Sequence, residues 1–184
     1  VDFDTASRNG EPFTELVKAR KMLPNPIMRF CTSELKIRTT MRFVQSLGWD
    51  EYDNAVGLRA DEPRRVAKMK GDCKAETVIL PMARAGHTLA DVLAFWKSQP
   101  FDLGLPDNGY GNCGGCFLKA RHKIERIADE NPDMLAWWAE TEQRTGSKFR
   151  IDRPSYTNIL VQVRVQGTLF RGEEDDSIPC MCTD

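Results

Sequence analysis

Thiols in close pairs are the first chemistry this sequence offers. Cys113-Gly-Gly-Cys116 and Cys180-Met-Cys182 each set two sulfurs within a few residues, and Cys31 lies among Arg29, Lys36 and Arg38. Such spacings suit a tetrahedral metal ion or an iron–sulfur cluster, because both need thiolates side by side. A dithiol redox site shares the Cys-x-x-Cys spacing. Nearby cations favour the thiolate, the form that attacks electrophiles and binds metals, so Cys31 joins the candidates. The alternative for Cys31 is a buried cysteine beneath a charged helix face. Gly114 and Gly115 let the backbone turn tightly and leave room for inorganic atoms to approach. Cys73 reads as a small buried hydrophobe. His87 and His122 stand isolated in sequence and are left unassigned: His87 suits a helix entry, and His122 a ligand or a polar helix position.

A second constellation is cationic. In Gly57-Leu-Arg-Ala-Asp-Glu-Pro-Arg-Arg65, the guanidinium groups of Arg59, Arg64 and Arg65 are suited to forked, charge-assisted bonds with phosphate or sulfate. Between Arg59 and Lys74 six basic residues face three acidic ones, a positive stretch in a chain of formal charge −1. The competing reading is a solvated helix start in which Asp61 and Glu62 pair with the arginines.

The elements that must position these groups follow from periodicity and punctuation. Residues 11–22 predict a helix with Phe13, Leu16, Val17 and Arg20 on one face, stopped by Pro24-Asn-Pro26. Thr32 or Ser33 is expected to cap a second helix running to Leu47, with Leu35, Met41, Phe43, Val44 and Leu47 inward and Gly48 ending it. Residues 54–58 and 76–80 read as short buried strands, the second closed by Pro81. Thr88-Leu-Ala-Asp91 has the form of a capping box, and Leu89, Val92, Leu93 and Trp96 form an apolar stripe behind it. A Gly- and Pro-rich loop then delivers Cys113 and Cys116 to the start of a helix ending near Glu130. Asn131-Pro132 opens another, carrying Met134, Leu135, Trp138 and Thr141 inward. Residues 156–166 suit helix and strand equally.

Alternating helices and short buried strands imply an α/β layer fold. Two strands are too few for a complete doubly wound sheet, and the remaining ones are expected before Val1. A chain of 184 residues, 41% hydrophobic and 29% charged, has the composition of a globular protein. The near-neutral charge argues against coating nucleic acid by bulk electrostatics, while leaving a local basic groove open. No apolar run approaches the ~20 residues of a membrane span. The start of the chain has no basic and apolar leader, so a cytoplasmic location is expected and structural disulfides are disfavoured.

Arg29-Phe-Cys-Thr-Ser-Glu-Leu-Lys-Ile37, Gly57-Leu-Arg-Ala-Asp-Glu62 and the later Gly-x-Cys-x-x-Cys116 together resemble the phosphoadenosine phosphosulfate (PAPS) reductase family. The likeness is to its phage- and bacterial-type branch within the adenine nucleotide α-hydrolase superfamily, over roughly residues 10–145. The resemblance implies an α/β nucleotide-binding fold and an adenine nucleotide, ATP or PAPS, as small-molecule partner. It implies sulfonucleotide reduction or ATP-dependent sulfur transfer, the latter with nucleic acid as one substrate class. By position, Lys36 and Arg59 would line the nucleotide pocket, with Arg64 or Arg65 at its anionic end. Cys31, Cys113 and Cys116 would bind a [4Fe-4S] cluster. Cys180 or Cys182 is the expected fourth ligand, Cys182 by preference and ahead of Cys73. The family's Ser-Gly-Gly-x-Asp-Ser phosphate loop and its Glu-Cys-Gly-x-His ending do not occur in these residues, and the second difference disfavours sulfonucleotide reduction.

These readings combine into one expectation. Residues 1–100 form the C-terminal part of an α/β nucleotide-binding domain, and 101–184 form a helical, cysteine-bearing extension. A homodimer is compatible with it. The rival is a non-catalytic, nucleic-acid-associated module with zinc on the same cysteines.

Overall fold

A computed structural model describes residues 4–69, 74–102, 104 and 113–166, and divides the chain into two compact units. One unit comprises Val1–Leu35 with Pro106–Cys180, and the other Lys36–Leu105 with Met181–Asp184. Residues 1–35 group with the cysteine-bearing segment. Aromatic packing accounts for this. Phe13, on helix α1 (Glu11–Arg20), sets its ring edge-on to Trp137 and Trp138 at centroid distances of 5.1 and 5.8 Å.

The cysteine-bearing unit is a helical assembly around one core. Helices α7 (Arg121–Glu130), α8 (Asp133–Thr145) and α9 (Tyr156–Gln166) pack on one another. On α8 the buried positions Leu135, Trp138, Ala139, Thr141 and Glu142 follow helical spacing and form one inward face. Phe149, fully buried in the turn after α8, stacks on Phe117 and meets Trp138 edge-on at 4.9 Å. Residues 156–166, ambiguous in sequence, are helical. Ser155 caps them, its Oγ accepting the Asn158 N–H at 3.2 Å.

Glu142 ties this unit together from inside. Its carboxylate accepts the Phe149 N–H at 3.0 Å and the Tyr156 N–H at 2.8 Å, joining α8, the following turn and the start of α9. Burial pushes the Glu142 carboxyl above its ordinary value, and the two N–H donors partly offset that. A folded-state pKa above the unfolded one means the folded protein holds its proton longer. Stability from this group is therefore full below the ordinary carboxyl value of 4.5 and falls as pH rises through the raised value. Glu142→Gln keeps one acceptor but turns an amide donor toward the second N–H, at a cost of about 1–3 kcal/mol. Urea unfolding from pH 4 to 7 should show that variant less stable, without this component of the pH slope. An unchanged slope would show that another group sets it.

The second unit contains a two-stranded parallel sheet. Strands β1 (Tyr52–Ala55) and β2 (Glu76–Ile79) run in register from Tyr52↔Glu76 to Ala55↔Ile79. The first starts two residues before the predicted 54–58 segment and shares only Asn54 and Ala55 with it, the second lies within 76–80, and neither is fully buried as expected. Pro81 does end the second, opening the short helix α5 (Pro81–Arg84). The fold is thus a mixture of helices and a small parallel sheet.

Two expectations about helices need correction. The second helix does not start on a cap at Thr32 or Ser33. It starts at Phe30, as α2 (Phe30–Thr32), passes through a π-helical turn at Ser33–Ile37 and continues as α3 (Arg38–Ser46). The chain is already committed to turning upstream, where Asn25 Oδ1 accepts the N–H groups of Ile27 and Met28. The second correction concerns the stripe on α6 (Leu89–Lys97). Its capping box forms, the Thr88 N–H donating to Asp91 at 2.7 Å, but Leu89, Leu93 and Trp96 remain 46%, 59% and 38% exposed. On α3, Val44 is buried while Phe43 faces solvent, as does Leu47 just beyond it. A two-stranded sheet has too little face to cover two helices, whereas parallel sheets are ordinarily covered on both sides.

Candidate functional site

Cys113 and Cys116 do not open a helix as expected. They sit in tight turns ahead of α7, which begins only at Arg121 after the extended residue Ala120. The Cys116 N–H donates to the Cys113 carbonyl at 3.1 Å, and the Lys119 N–H to the Cys116 carbonyl at 2.9 Å. Two core residues pin these turns. Tyr156, buried between Trp138 and Phe149, donates its hydroxyl proton to the Gly115 carbonyl at 2.5 Å. Arg153 Nη1 donates to the Lys119 carbonyl at 2.6 Å.

The two glycines serve packing. A Cβ on Gly115 would overlap the Trp138 indole, and one on Gly114 would overlap the Met134 thioether. The Cys-Gly-Gly-Cys turn lies directly against α8.

Cys31, on α2, converges on the same place. The charge on Cys113 bears on the thiols of both Cys31 and Cys116, and Cys31 also bears on Cys116. The three sulfurs thus share one electrostatic neighbourhood. Burial pushes the Cys31 and Cys116 thiols up, as does mutual repulsion of their charged forms. Hydrogen bonds work the other way. Cys31 is stabilised as thiolate by the side chain and backbone N–H of Thr32, and Cys116 by the backbone N–H of Leu118. Lys119 is half-buried beside them. Burial lowers its ammonium while the Cys116 and Cys113 charges counter that.

Exposure grades the trio: Cys113 is exposed, and Cys31 and Cys116 are partly buried. Among the described residues no three His, Cys, Asp or Glu side chains are arranged to hold a single metal ion. In kind the donors suit an iron–sulfur group: three sulfurs, two of them hydrogen-bonded. Cys73, Cys180 and Cys182 lie outside the described residues, so the expected fourth ligand does too.

Comparison with known proteins adds one relative. The chain is 34% identical over 116 residues to the uncharacterized nin region protein ORF290 of Escherichia phage lambda. The match covers 62% of this chain and 37% of that protein, so the chain spans well under half of the relative's length. No protein-family model and no solved structure matches.

The nucleotide candidates Lys36, Arg59, Arg64 and Arg65 all belong to the other unit. The loop after β1 meets the segment before α6: the Ala60 N–H donates to the His87 carbonyl at 2.8 Å, and Asp61 Oδ2 accepts the Leu89 N–H at 3.0 Å. This is the carboxyl end of both parallel strands, where open α/β sheets bind ligands. Two of the arginines already have carboxylate partners. Arg59 pairs with Asp61 at 2.8 Å and with Glu62 at 3.4 Å, and Arg65 pairs with Glu62. Arg64 is exposed on the short helix α4 (Pro63–Val66), and Lys36 is exposed on the π-helical turn.

Sequence reasoning passed over Thr32, Lys119 and Tyr156. The first two were within reach, one adjoining Cys31 and the other three residues past Cys116. Tyr156 carried no local signal, because its partner lies 41 residues away.

Among the described residues no helix is long and apolar enough to cross a membrane.

Proposed function

We propose that this chain is an adenine-nucleotide-binding protein of the PAPS reductase family, with the layered fold of the adenine nucleotide α-hydrolases. In this reading it acts in sulfonucleotide reduction or ATP-dependent sulfur transfer, with a [4Fe-4S] cluster on Cys31, Cys113 and Cys116. One observation carries it: Cys31 and Cys116, from segments far apart in sequence, pack against the same core, and Cys113 is one hydrogen-bonded turn from Cys116. When bound, such a cluster supplies electrons or a place for sulfur. Burial favours the protonated thiols of Cys31 and Cys116, and the chain's own residues partly counter it. Thr32 and the Leu118 N–H donate to sulfur, and Lys119 offsets negative charge; such hydrogen bonds also tune a cluster's potential.

Zinc on the same cysteines is the rival: a single zinc draws all its sulfurs to about 2.3 Å from one point, whereas in a cluster each cysteine sulfur binds its own iron. On the nucleotide side, Glu62 holds Arg59 and Arg65 together at the carboxyl end of β1, and an anionic phosphate would compete with that carboxylate for them.

Purification of the full chain without oxygen tests the proposal. Visible absorption near 400 nm with iron and acid-labile sulfide is expected. A colourless protein containing zinc, or no metal, would overturn it.

A further inference from the structure

We infer that Cys113 and Cys116 form a reversible disulfide on exposure to a hydroperoxide, and that this oxidation closes the thiol site by removing two of its three described sulfurs. The inference rests on the three-thiol reading above and concerns how that site is regulated.

Geometry selects this pair. The Cys116 N–H to Cys113 carbonyl bond closes a four-residue turn, whose end Cα atoms lie within about 7 Å in such turns. Disulfides join Cα atoms about 4.4–6.8 Å apart, so the pair can close with little backbone movement. The turn is also held from both sides: Tyr156 bonds the carbonyl of Gly115, and Arg153 that of Lys119. Trp138 and Met134 fill the space that bulkier residues at 114 and 115 would need. Cys31 belongs to a different element, α2, and is partly buried.

Exposure sets the order of events. Cys113 is the exposed thiol and Cys116 the partly buried one. The Cys113 sulfur attacks the outer peroxide oxygen, the O–O bond breaks, and sulfenic acid forms as hydroxide or alkoxide leaves. The Cys116 thiolate then attacks that sulfur, forming the S–S bond and expelling hydroxide. The two thiols together lose two electrons and two protons. The peroxide gains them and becomes water and an alcohol, or two waters when it is hydrogen peroxide. A dithiol reductant reverses the change.

The sequence provides a direct readout. One tryptic peptide, 98–119, holds both Cys113 and Cys116, and another, 30–36, holds Cys31. The full chain, reduced and freed of metal, is treated with equimolar hydrogen peroxide, alkylated and digested without reductant. The expected result is peptide 98–119 lighter by two hydrogens and unalkylated, peptide 30–36 alkylated, and both alkylated after dithiothreitol. A bridge from Cys113 or Cys116 to Cys31, Cys73, Cys180 or Cys182 would overturn the inference. So would sulfinic acid at Cys113 beside an alkylated Cys116, or no oxidation at all. Iron content, measured separately on untreated protein, keeps the two proposals apart. Disulfide without iron sinks only the cluster, and iron without disulfide sinks only the switch.

Discussion

Gly115→Ala is expected to destabilise the cysteine-bearing unit far more than Gly114→Ala, although both add one methyl group to the same turn. At 115 the new Cβ meets the Trp138 indole, and that ring cannot yield. It is held edge-on by Phe149 at 4.9 Å and stacked on Tyr156 at 5.8 Å. At 114 the obstacle is Met134, partly buried, with an unbranched side chain that can rotate aside. Overpacking a dense core costs about 1–3 kcal/mol, so Gly115→Ala should lie at the upper end and Gly114→Ala at or below about 1 kcal/mol. Chemical denaturation of the two variants decides it. Equal losses, or a greater loss at 114, would show that the turn does not rest on Trp138 as described.

Cys31→Ser should abolish iron binding while leaving the fold intact. Serine is nearly isosteric and Cys31 only adjoins the core, so the stability change should stay near 1 kcal/mol or below. A hydroxyl is a poor substitute for a thiolate, however, and the loss of affinity should exceed the 10–100-fold typical of outer-shell partners. Thr32→Val, which removes the hydroxyl bonded to the Cys31 sulfur, should fall within that smaller range. Iron per chain after anaerobic reconstitution separates the three proteins. Full iron in Cys31→Ser would remove that cysteine from the site.

Local signals in the sequence were reliable where one element decides its own structure. The Thr88–Asp91 capping box, the β-branched strand closed by Pro81 and the inward face of α8 are all such cases. They failed where a distant partner decides. Leu89, Leu93 and Trp96 have the periodicity of a buried face, but periodicity does not reveal whether a surface exists to cover it. Thr32 has the chemistry of a helix cap, yet the Asn25 turn starts the helix earlier and frees its hydroxyl for sulfur. Gly114 and Gly115 were legible as a tight turn, but not as contacts with Met134 and Trp138 on α8.

The site was legible in its parts and less so in its company. Cysteine spacing named Cys113 and Cys116, and the cations around Cys31 named the third thiol. Their convergence depends on α1 and α2 grouping with the C-terminal helices: aromatic contacts across more than 120 residues of chain hold α1 there, and Cys31 on α2 packs against the same core. The arginines show the opposite balance. Their segment alternates acid and base, and Asp61 and Glu62 do pair with Arg59 and Arg65.

Thiol-to-thiol cross-linking of the reduced, metal-free chain with a short bismaleimide tests the convergence directly. The account predicts a product joining peptide 30–36 to peptide 98–119, formed at protein concentrations too low for links between chains. Both peptides labelled singly, with no joined product, would place Cys31 away from Cys113 and Cys116 and contradict it.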